Sequence, residues 1–217
     1  TLFHEAGHGL HHLLTQVDVL GVSGINGVEW DAVELPSQFM ENFVWEYNVL
    51  ADMSAHEETR QPLPRELFDK MIAAKNFQRG MFIIRQMEFA LCDMSIYSQS
   101  DASKLGQWSQ VLDEVRQEVA VVRPPAYNRF ANSFGHIFAG GYSAGYYSYS
   151  WADVLSADAY AAFEESGDVK ATGKRFWMEV LAVGGSRSAM ESFKAFRGRE
   201  PNIDALLRHS GFDVDAA

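Results

Sequence analysis

The sequence has little cysteine, no long apolar run and no excess of positive charge. Its single cysteine, Cys92, excludes an internal disulfide, which agrees with a reducing, cytoplasmic location. No stretch is long and apolar enough to span a bilayer. Acidic residues outnumber basic ones by 29 to 18, giving a formal net charge of −11. A surface of this charge disfavours nucleic acid and anionic membranes as partners, so we expect neither.

The chain of 217 residues, 47% of them apolar, can fill a sizeable core. Apolar residues recur at helical steps over residues 76–97 and again over 105–119. We therefore expect a mainly α-helical fold with little or no sheet. The sequence does not start with Met, and its first helical pattern begins at once. We interpret it as part of a longer protein.

The first twelve residues carry the clearest chemical motif. His4 and His8 stand four apart, so a helix projects both from one face, one turn apart. Two imidazoles at this spacing can bind one zinc ion, and Glu5 lies beside them to act on a water molecule. The order His-Glu-x-x-His is that of zincin metallopeptidases. The alternative is a histidine-rich surface helix, but the small residues Ala6 and Gly7 favour the metal site.

A catalytic zinc site needs a third protein ligand, and Glu34 is the candidate. It precedes Leu-Pro-Ser-Gln, in a segment whose apolar residues have helical spacing with a start or kink near Pro36. The alternative is that Glu34 belongs to a solvated acidic face. A metal-bound histidine usually donates its other N–H to a carboxylate, for which Glu41 and Asp31 are candidates.

A second candidate site lies in residues 130–151, which are rich in aromatic residues and glycine. The pair Gly140–Gly141 precedes Tyr142 and predicts a flexible loop able to close on a ligand. Tyr146 and Tyr149 stand three apart, so a helix would present both hydroxyls on one side. Phenol hydroxyls can donate to a developing oxyanion. Ordinary aromatic packing is the alternative for these tyrosines.

These two segments together resemble the thimet oligopeptidase family, particularly its bacterial-type branch. The first is His-Glu-Ala-Gly-His-Gly-Leu-His followed by Gly-Val-Glu-Trp-Asp-Ala-Val-Glu-Leu-Pro-Ser-Gln-Phe-Met-Glu-Asn. The second is Phe-x-His-x-x-Ala-Gly-Gly-Tyr-x-Ala-x-Tyr-Tyr-x-Tyr-x-Trp. The resemblance extends over nearly the whole chain. It implies that residues 1–217 are the C-terminal part of a zinc metallopeptidase catalytic domain, a multi-helical, gluzincin-like zincin fold, with the N-terminal portion of the enzyme absent.

The resemblance also implies roles for single residues. The family's zinc ligands fall on His4, His8 and Glu34, which implies one Zn²⁺ per chain, and its motif glutamate falls on Glu5. The histidine and tyrosines that bind substrate and stabilise the transition state fall on the second segment. We therefore expect Glu5, His136 and Tyr149 to be catalytic. The expected substrate-binding residues are Tyr142, Tyr146, Gly140 and Gly141.

The function we expect is zinc-dependent endopeptidase action on short peptides, with the N-terminal portion of the same enzyme as a further partner. The family contains a second activity, because dipeptidyl carboxypeptidases release dipeptides from C-termini. A third alternative is a catalytically incompetent part that binds metal and peptide and needs the missing N-terminal portion. Arg197 and Arg199 could clamp a peptide C-terminus, although a structural ion pair is the interpretation we favour.

Overall fold

The computed structural model describes residues 1–98 and 107–212. Within these ranges the chain forms α-helices joined by turns and short 3₁₀ or π segments, with no β-strand, so the mainly α prediction is confirmed. The helices in chain order are α1 Leu2–Leu13, α2 Leu35–Glu41, α3 Tyr47–Met53, α4 Arg65–Ala74, α5 Arg79–Tyr97, α6 Trp108–Val119, α7 Gly135–Phe138, α8 Ser148–Ser166, α9 Val169–Phe176, α10 Ala189–Arg197 and α11 Asp204–His209.

Local sequence signals account for several helix ends. Pro36 occupies the first turn of α2, where its missing N–H costs no hydrogen bond, as the predicted helix start requires. Asp168 caps α9 by accepting from the Ala171 amide, and Ser188 caps α10 in the same way. Asp101 precedes the apolar pattern of residues 105–119 and is a plausible N-cap for that helix, but it lies outside the described residues.

The helices group into two compact units, residues 1–77 with 151 onward, and residues 78–150. The first unit has an aromatic core around Phe39 of α2. The Phe39 ring stacks on Phe176 of α9 with centroids 4.1 Å apart and also contacts Phe163 of α8. Phe193 and Phe196 of α10 complete this buried cluster. Burial of aromatic rings at this density contributes strongly to the stability of the unit.

The second unit is built on α5 and α6. Glu88 of α5 is buried and accepts from Arg116 of α6 at 2.8 Å, so the two charges compensate each other. Next to this pair, the ring of Phe89 stacks on Phe130 with centroids 4.5 Å apart. Phe134 packs in the same aromatic cluster and connects α5 to the segment that carries α7.

No helix in the described ranges combines the length and the apolar character needed to cross a membrane.

Candidate metal centre and tyrosine cluster

Helix α1 presents His4 and His8 from one face, as the motif predicts. The two imidazole rings lie 5.0 Å apart, centroid to centroid, in an edge-to-face arrangement. Both side chains are partly exposed. The helix therefore provides two imidazole nitrogens on one face, on side chains that solvent can partly reach.

Gly7 explains how a second helix reaches these histidines. A Cβ atom at this position would lie 2.5 Å from the carbonyl oxygen of Pro36 and from Cα of Ser37. Only glycine permits such a close approach between α1 and the first turn of α2. The residue just before α2 is Glu34, and it is thereby brought against the histidines.

His4, His8 and Glu34 form what we call the His-His-Glu cluster. One carboxylate oxygen, Oε2 of Glu34, lies 3.3 Å from Nε2 of His4 and 3.2 Å from Nε2 of His8. Their candidate ligand atoms all lie within 4.8 Å of one another. Two ligands at 2.0–2.1 Å from a tetrahedral ion are about 3.3 Å apart. The spacing of these donors therefore fits a single metal ion.

Glu34 is held firmly in this cluster. Its side chain is almost fully buried, and the hydroxyl of Ser37, itself buried, lies 2.8 Å from Oε2. The hydrogen bond that His8 makes to the accepting Glu34 carboxylate is the largest effect on the pKa of His8 and raises it. Burial lowers this pKa, but the negative charges of Glu34 and Glu5 also raise it, so the pKa of His8 is raised overall. A buried carboxylate between two imidazoles is a strong cation-binding arrangement.

Glu41 orients the first histidine. Its Oε1 lies 2.7 Å from Nδ1 of His4. A carboxylate there accepts the Nδ1–H, which leaves the lone pair of Nε2 facing Glu34. The predicted contact between Glu41 and a histidine of the motif is thus present. Asp31, the other candidate, lines a separate cavity beside Ala189.

Glu5 is exposed on α1, directly after His4. Its carboxylate is near enough to the cluster to raise the pKa of His8 electrostatically. The structure thus places an accessible carboxylate beside the candidate metal ligands. That is the position in which a group could exchange protons with a bound water molecule.

In the second unit, His136, Tyr142, Tyr146 and Tyr149 form what we call the tyrosine cluster. The His136 ring lies 6.0, 5.6 and 5.9 Å from the rings of Tyr142, Tyr146 and Tyr149, respectively. Tyr142 stacks on Tyr149 with centroids 4.8 Å apart. The four side chains predicted to act on substrate are therefore packed together.

The glycine pair shapes the turn between His136 and Tyr142. A Cβ at Gly140 would lie 3.0 Å from the His136 carbonyl oxygen, and Gly141 has a φ of +83°. A left-handed φ favours glycine because it has no Cβ to clash. The Tyr142 amide then donates to the His136 carbonyl at 3.0 Å, which closes the turn.

Tyr146 differs from the expectation based on helical spacing. Helix α8 begins only at Ser148, so Tyr146 lies in the preceding turn, after Ala144 with its left-handed φ of +53°. Its side chain is buried, and its hydroxyl donates to Oε1 of Gln86 at 3.0 Å. Burial raises its pKa to about 12. The phenol therefore remains protonated and is bonded within the protein.

Sequence reasoning missed Ser37 and Gln86, which support Glu34 and Tyr146 respectively. Ser37 stands three residues after Glu34, the spacing of a local side-chain contact at a helix start, so a signal was present. Gln86 is 60 residues from Tyr146, and no local pattern could connect them. Arg197 and Arg199 both form ion pairs with buried Asp158, so the structural interpretation favoured for them is confirmed.

The fold and the His-His-Glu cluster define a helical protein with a candidate metal centre of peptidase type. A family model described as "Peptidase family M3" matches residues 1–212. The chain belongs to this family, and the predicted resemblance to the thimet oligopeptidases is confirmed.

Relatives in this family are similar over nearly the whole chain. Oligopeptidase A of Salmonella typhimurium is 57% identical over 212 residues, which are 97% of this chain and 31% of that protein. Oligopeptidase A of Haemophilus influenzae is 58% identical with the same coverage. A dipeptidyl carboxypeptidase of Salmonella typhimurium is 35% identical, over 98% of this chain and 32% of that protein. The chain thus spans about a third of the length of these relatives.

Proposed function

We propose that this chain carries the metal centre of a zinc-dependent oligopeptidase that hydrolyses short peptides. The His-His-Glu cluster is the observation on which the proposal rests. Its two Nε2–Oε2 distances, 3.3 and 3.2 Å, fit the edges of a tetrahedral site. Two histidines and one glutamate are the ligand set of thermolysin-type catalytic zinc, which leaves a fourth position open. When bound, Zn²⁺ would polarise the scissile carbonyl and make a water molecule more acidic.

Glu5 is the proposed general base. Its exposed carboxylate directly follows His4 on α1 and is near enough to His8 to raise the pKa of that histidine. It would take a proton from the attacking water and later pass it to the leaving amine. Glu34 is less suited to this role, because it is buried between the two histidines and would itself be a ligand of the ion.

We propose that His136 and Tyr149 assist the same reaction by donating to the oxyanion. Tyr142, Tyr146, Gly140 and Gly141 would hold the peptide and shape the loop around it. Their match to the family's second signature supports these roles. The Tyr146 hydroxyl is bonded to Gln86. Its proposed role in holding the peptide therefore depends on its ring, which packs against His136 and Tyr149.

An endopeptidase acting on short peptides is the specificity we favour. The chain is 57% identical to an oligopeptidase A and 35% identical to a dipeptidyl carboxypeptidase. The same metal centre would serve either reaction, so the choice depends on this difference in similarity. We also propose that the remaining portion of the enzyme completes the substrate site and that the enzyme acts in the cytoplasm.

The metal assignment is tested by measuring zinc content and affinity of the full-length enzyme with His4→Gln and with His12→Gln. His12 is on the same helix but outside the His-His-Glu cluster, so it is the matched control. We expect His4→Gln to lose zinc and His12→Gln to bind it as the wild type does. Equal zinc binding by both variants would reject the site.

The catalytic assignment is tested with Glu5→Gln, which keeps the side-chain shape but removes the base. Zinc should remain bound while cleavage of a defined peptide mixture falls by about 10²-fold or more. Glu66→Gln, which also changes an exposed helical carboxylate, should cleave at the wild-type rate. The positions of the cuts decide between endopeptidase action and release of C-terminal dipeptides. Full turnover by zinc-loaded Glu5→Gln would reject the base.

A further inference from the structure

A buried acid on α5 holds the turn that carries the tyrosine cluster. Asp93 has no exposed surface. Its Oδ1 accepts from the Ala144 amide at 2.9 Å, and its Oδ2 accepts from the Tyr146 amide at 2.9 Å. Each carboxylate oxygen therefore has its own backbone donor, 51 and 53 residues along the chain.

The turn needs such an external acceptor. Within it, the Gly145 amide donates to the Tyr142 carbonyl and the Tyr149 amide to the Tyr146 carbonyl, at 3.0 and 3.3 Å. The amides of Ala144 and Tyr146 are bonded to Asp93 instead. Buried amides without a partner are costly. Asp93 therefore supplies the acceptors for the amides of Ala144 and Tyr146.

Electrostatics favour an acid at this place. Tyr146 lies two residues before α8, a helix of 19 residues, whose amino end carries partial positive charge. A carboxylate there is stabilised by the helix and by two N–H donors. It also supports the left-handed φ of +53° at Ala144, a conformation that costs a residue with a Cβ some energy.

The same face of α5 makes two more contacts with this region. Gln86, seven residues before Asp93, accepts from the Tyr146 hydroxyl at 3.0 Å. Tyr97, four residues after Asp93, donates to the Ile137 carbonyl at 3.0 Å. Spacings of seven and four place all three side chains on one side of the helix. Helix α5 is thus a scaffold beneath His136 and the tyrosines.

We propose that Asp93 is a positioning residue that fixes the Tyr149 ring for the reaction through the turn of residues 142–149. Asp93 is bonded to the Tyr146 amide. Tyr146 in turn contacts Tyr149 in two ways: its carbonyl accepts a hydrogen bond from the Tyr149 amide, and the two ring centroids lie 5.4 Å apart. The Tyr149 ring is also stacked on the Tyr142 ring, with centroids 4.8 Å apart. This inference rests on the proposed function of Tyr149.

The first test is structural and independent of activity. In the wild-type full-length enzyme, hydrogen exchange resolved to single amides should show strong protection of Ala144 and Tyr146. In Asp93→Asn the side-chain NH₂ faces one of these donors, so at least one amide should exchange about tenfold faster or more. If both amides exchanged fast in the wild-type enzyme, the proposal would be overturned. This measurement requires no variant.

The second test is a double-mutant cycle on kcat with zinc content measured throughout. Asp93→Asn alone should lower kcat about 10- to 100-fold with zinc retained, because small misplacement of a reacting group is costly. In the Tyr149→Phe background the same change should lower kcat at most about threefold further. Asp158→Asn alters another fully buried aspartate, in the first unit, and should show no such coupling to Tyr149→Phe.

The outcomes separate the two proposals. Additive losses in the Asp93–Tyr149 cycle would mean that Asp93 is only structural and would overturn the positioning role. If Tyr149→Phe alone left kcat unchanged, the proposed function of Tyr149 would be wrong, and with it the catalytic part of this inference. The exchange data would still decide whether Asp93 holds the turn.

Discussion

Glu41→Gln offers the most direct test of how the metal centre is built. The substitution keeps an oxygen beside Nδ1 of His4 but removes the negative charge. Zinc affinity should fall, because a carboxylate acceptor fixes the tautomer of His4 and raises the basicity of its Nε2. The observed separation of 2.7 Å is that of a strong, charge-assisted hydrogen bond.

The size of the effect follows from exposure. Changes to residues that orient metal ligands typically cost 10- to 100-fold in affinity. The Glu41 side chain is 50% exposed, so water screens part of its charge and the lower end of this range applies. We therefore expect about a tenfold loss, equivalent to about 1.4 kcal/mol. Glu41→Ala, which also removes the acceptor, should lose about 30-fold.

The assay is competition for zinc against a chromophoric chelator of known affinity. The pH must be fixed, since the ligands bind metal only when deprotonated. Glu66→Gln is the control, because Glu66 is an exposed helical carboxylate whose partner is Lys70. Wild-type affinity in both Glu41 variants would show that His4 needs no orientation by Glu41, and the reasoning would be wrong.

Three further predictions concern other parts of the chain. Tyr149→Phe should lower kcat about 10²–10³-fold, whereas Tyr147→Phe, at an exposed position, should change it less than about threefold. Cys92 is buried with its pKa raised to about 11 by burial, so at pH 8 it should react with a thiol reagent only after unfolding. Burial alone would raise the pKa of Asp158, but hydrogen bonds from Arg199 and a backbone amide outweigh it and lower that pKa. The ionised Asp158 therefore stabilises the folded state fully at pH values above the ordinary aspartate pKa, and this stabilisation is lost as the pH falls from there through the lowered pKa. The urea midpoint should therefore decline less between pH 5 and pH 3 in Asp158→Asn than in the wild type.

The features predicted well from the sequence are local. His4 and His8 depend only on the helical period, and α1 places them as expected. The start of α2 at Pro36 follows from the geometry of proline itself. Pro62 and Pro64 interrupt the chain and predict that a helix resumes at Arg65 and runs to Ala74, and α4 has these bounds. Each of these depends on residues within about one turn of one another.

Glu34 shows where local reasoning ends. Its spacing was equally compatible with a solvated acidic face, and the family resemblance was needed to favour a ligand. The structure adds the physical reason, which is the absence of a side chain at Gly7. Because Gly7 lets the Pro36 backbone approach so closely, the carboxylate is buried against the histidines. No pattern in the sequence reports how close two helices can come.

Tyr146 shows a different limit. A spacing of three residues suggested that Tyr146 and Tyr149 share a helix, but that spacing also occurs in the turn that precedes α8. The left-handed φ at Ala144 prevents the helix from extending back toward Tyr142. Alanine is a good helix former, so its propensity argued against such a turn. Tertiary hydrogen bonds to Asp93 outweighed that local preference.

Glu41 bonds a histidine of the candidate metal centre and Asp93 bonds two backbone amides beside the tyrosine cluster, yet only the contact of Glu41 could be anticipated. Glu41 lies seven residues after Glu34, and a known rule pairs metal-bound histidines with carboxylates. Asp93 accepts from backbone amides, which every residue except proline carries, so its partners leave no trace in the sequence. The spacing of Gln86, Asp93 and Tyr97 on one face of α5 becomes informative only once that face is known to be covered. Of the three, Asp93 and Tyr97 bond backbone groups far along the chain, whereas Gln86 bonds the Tyr146 hydroxyl, and such partners emerge only from the tertiary structure.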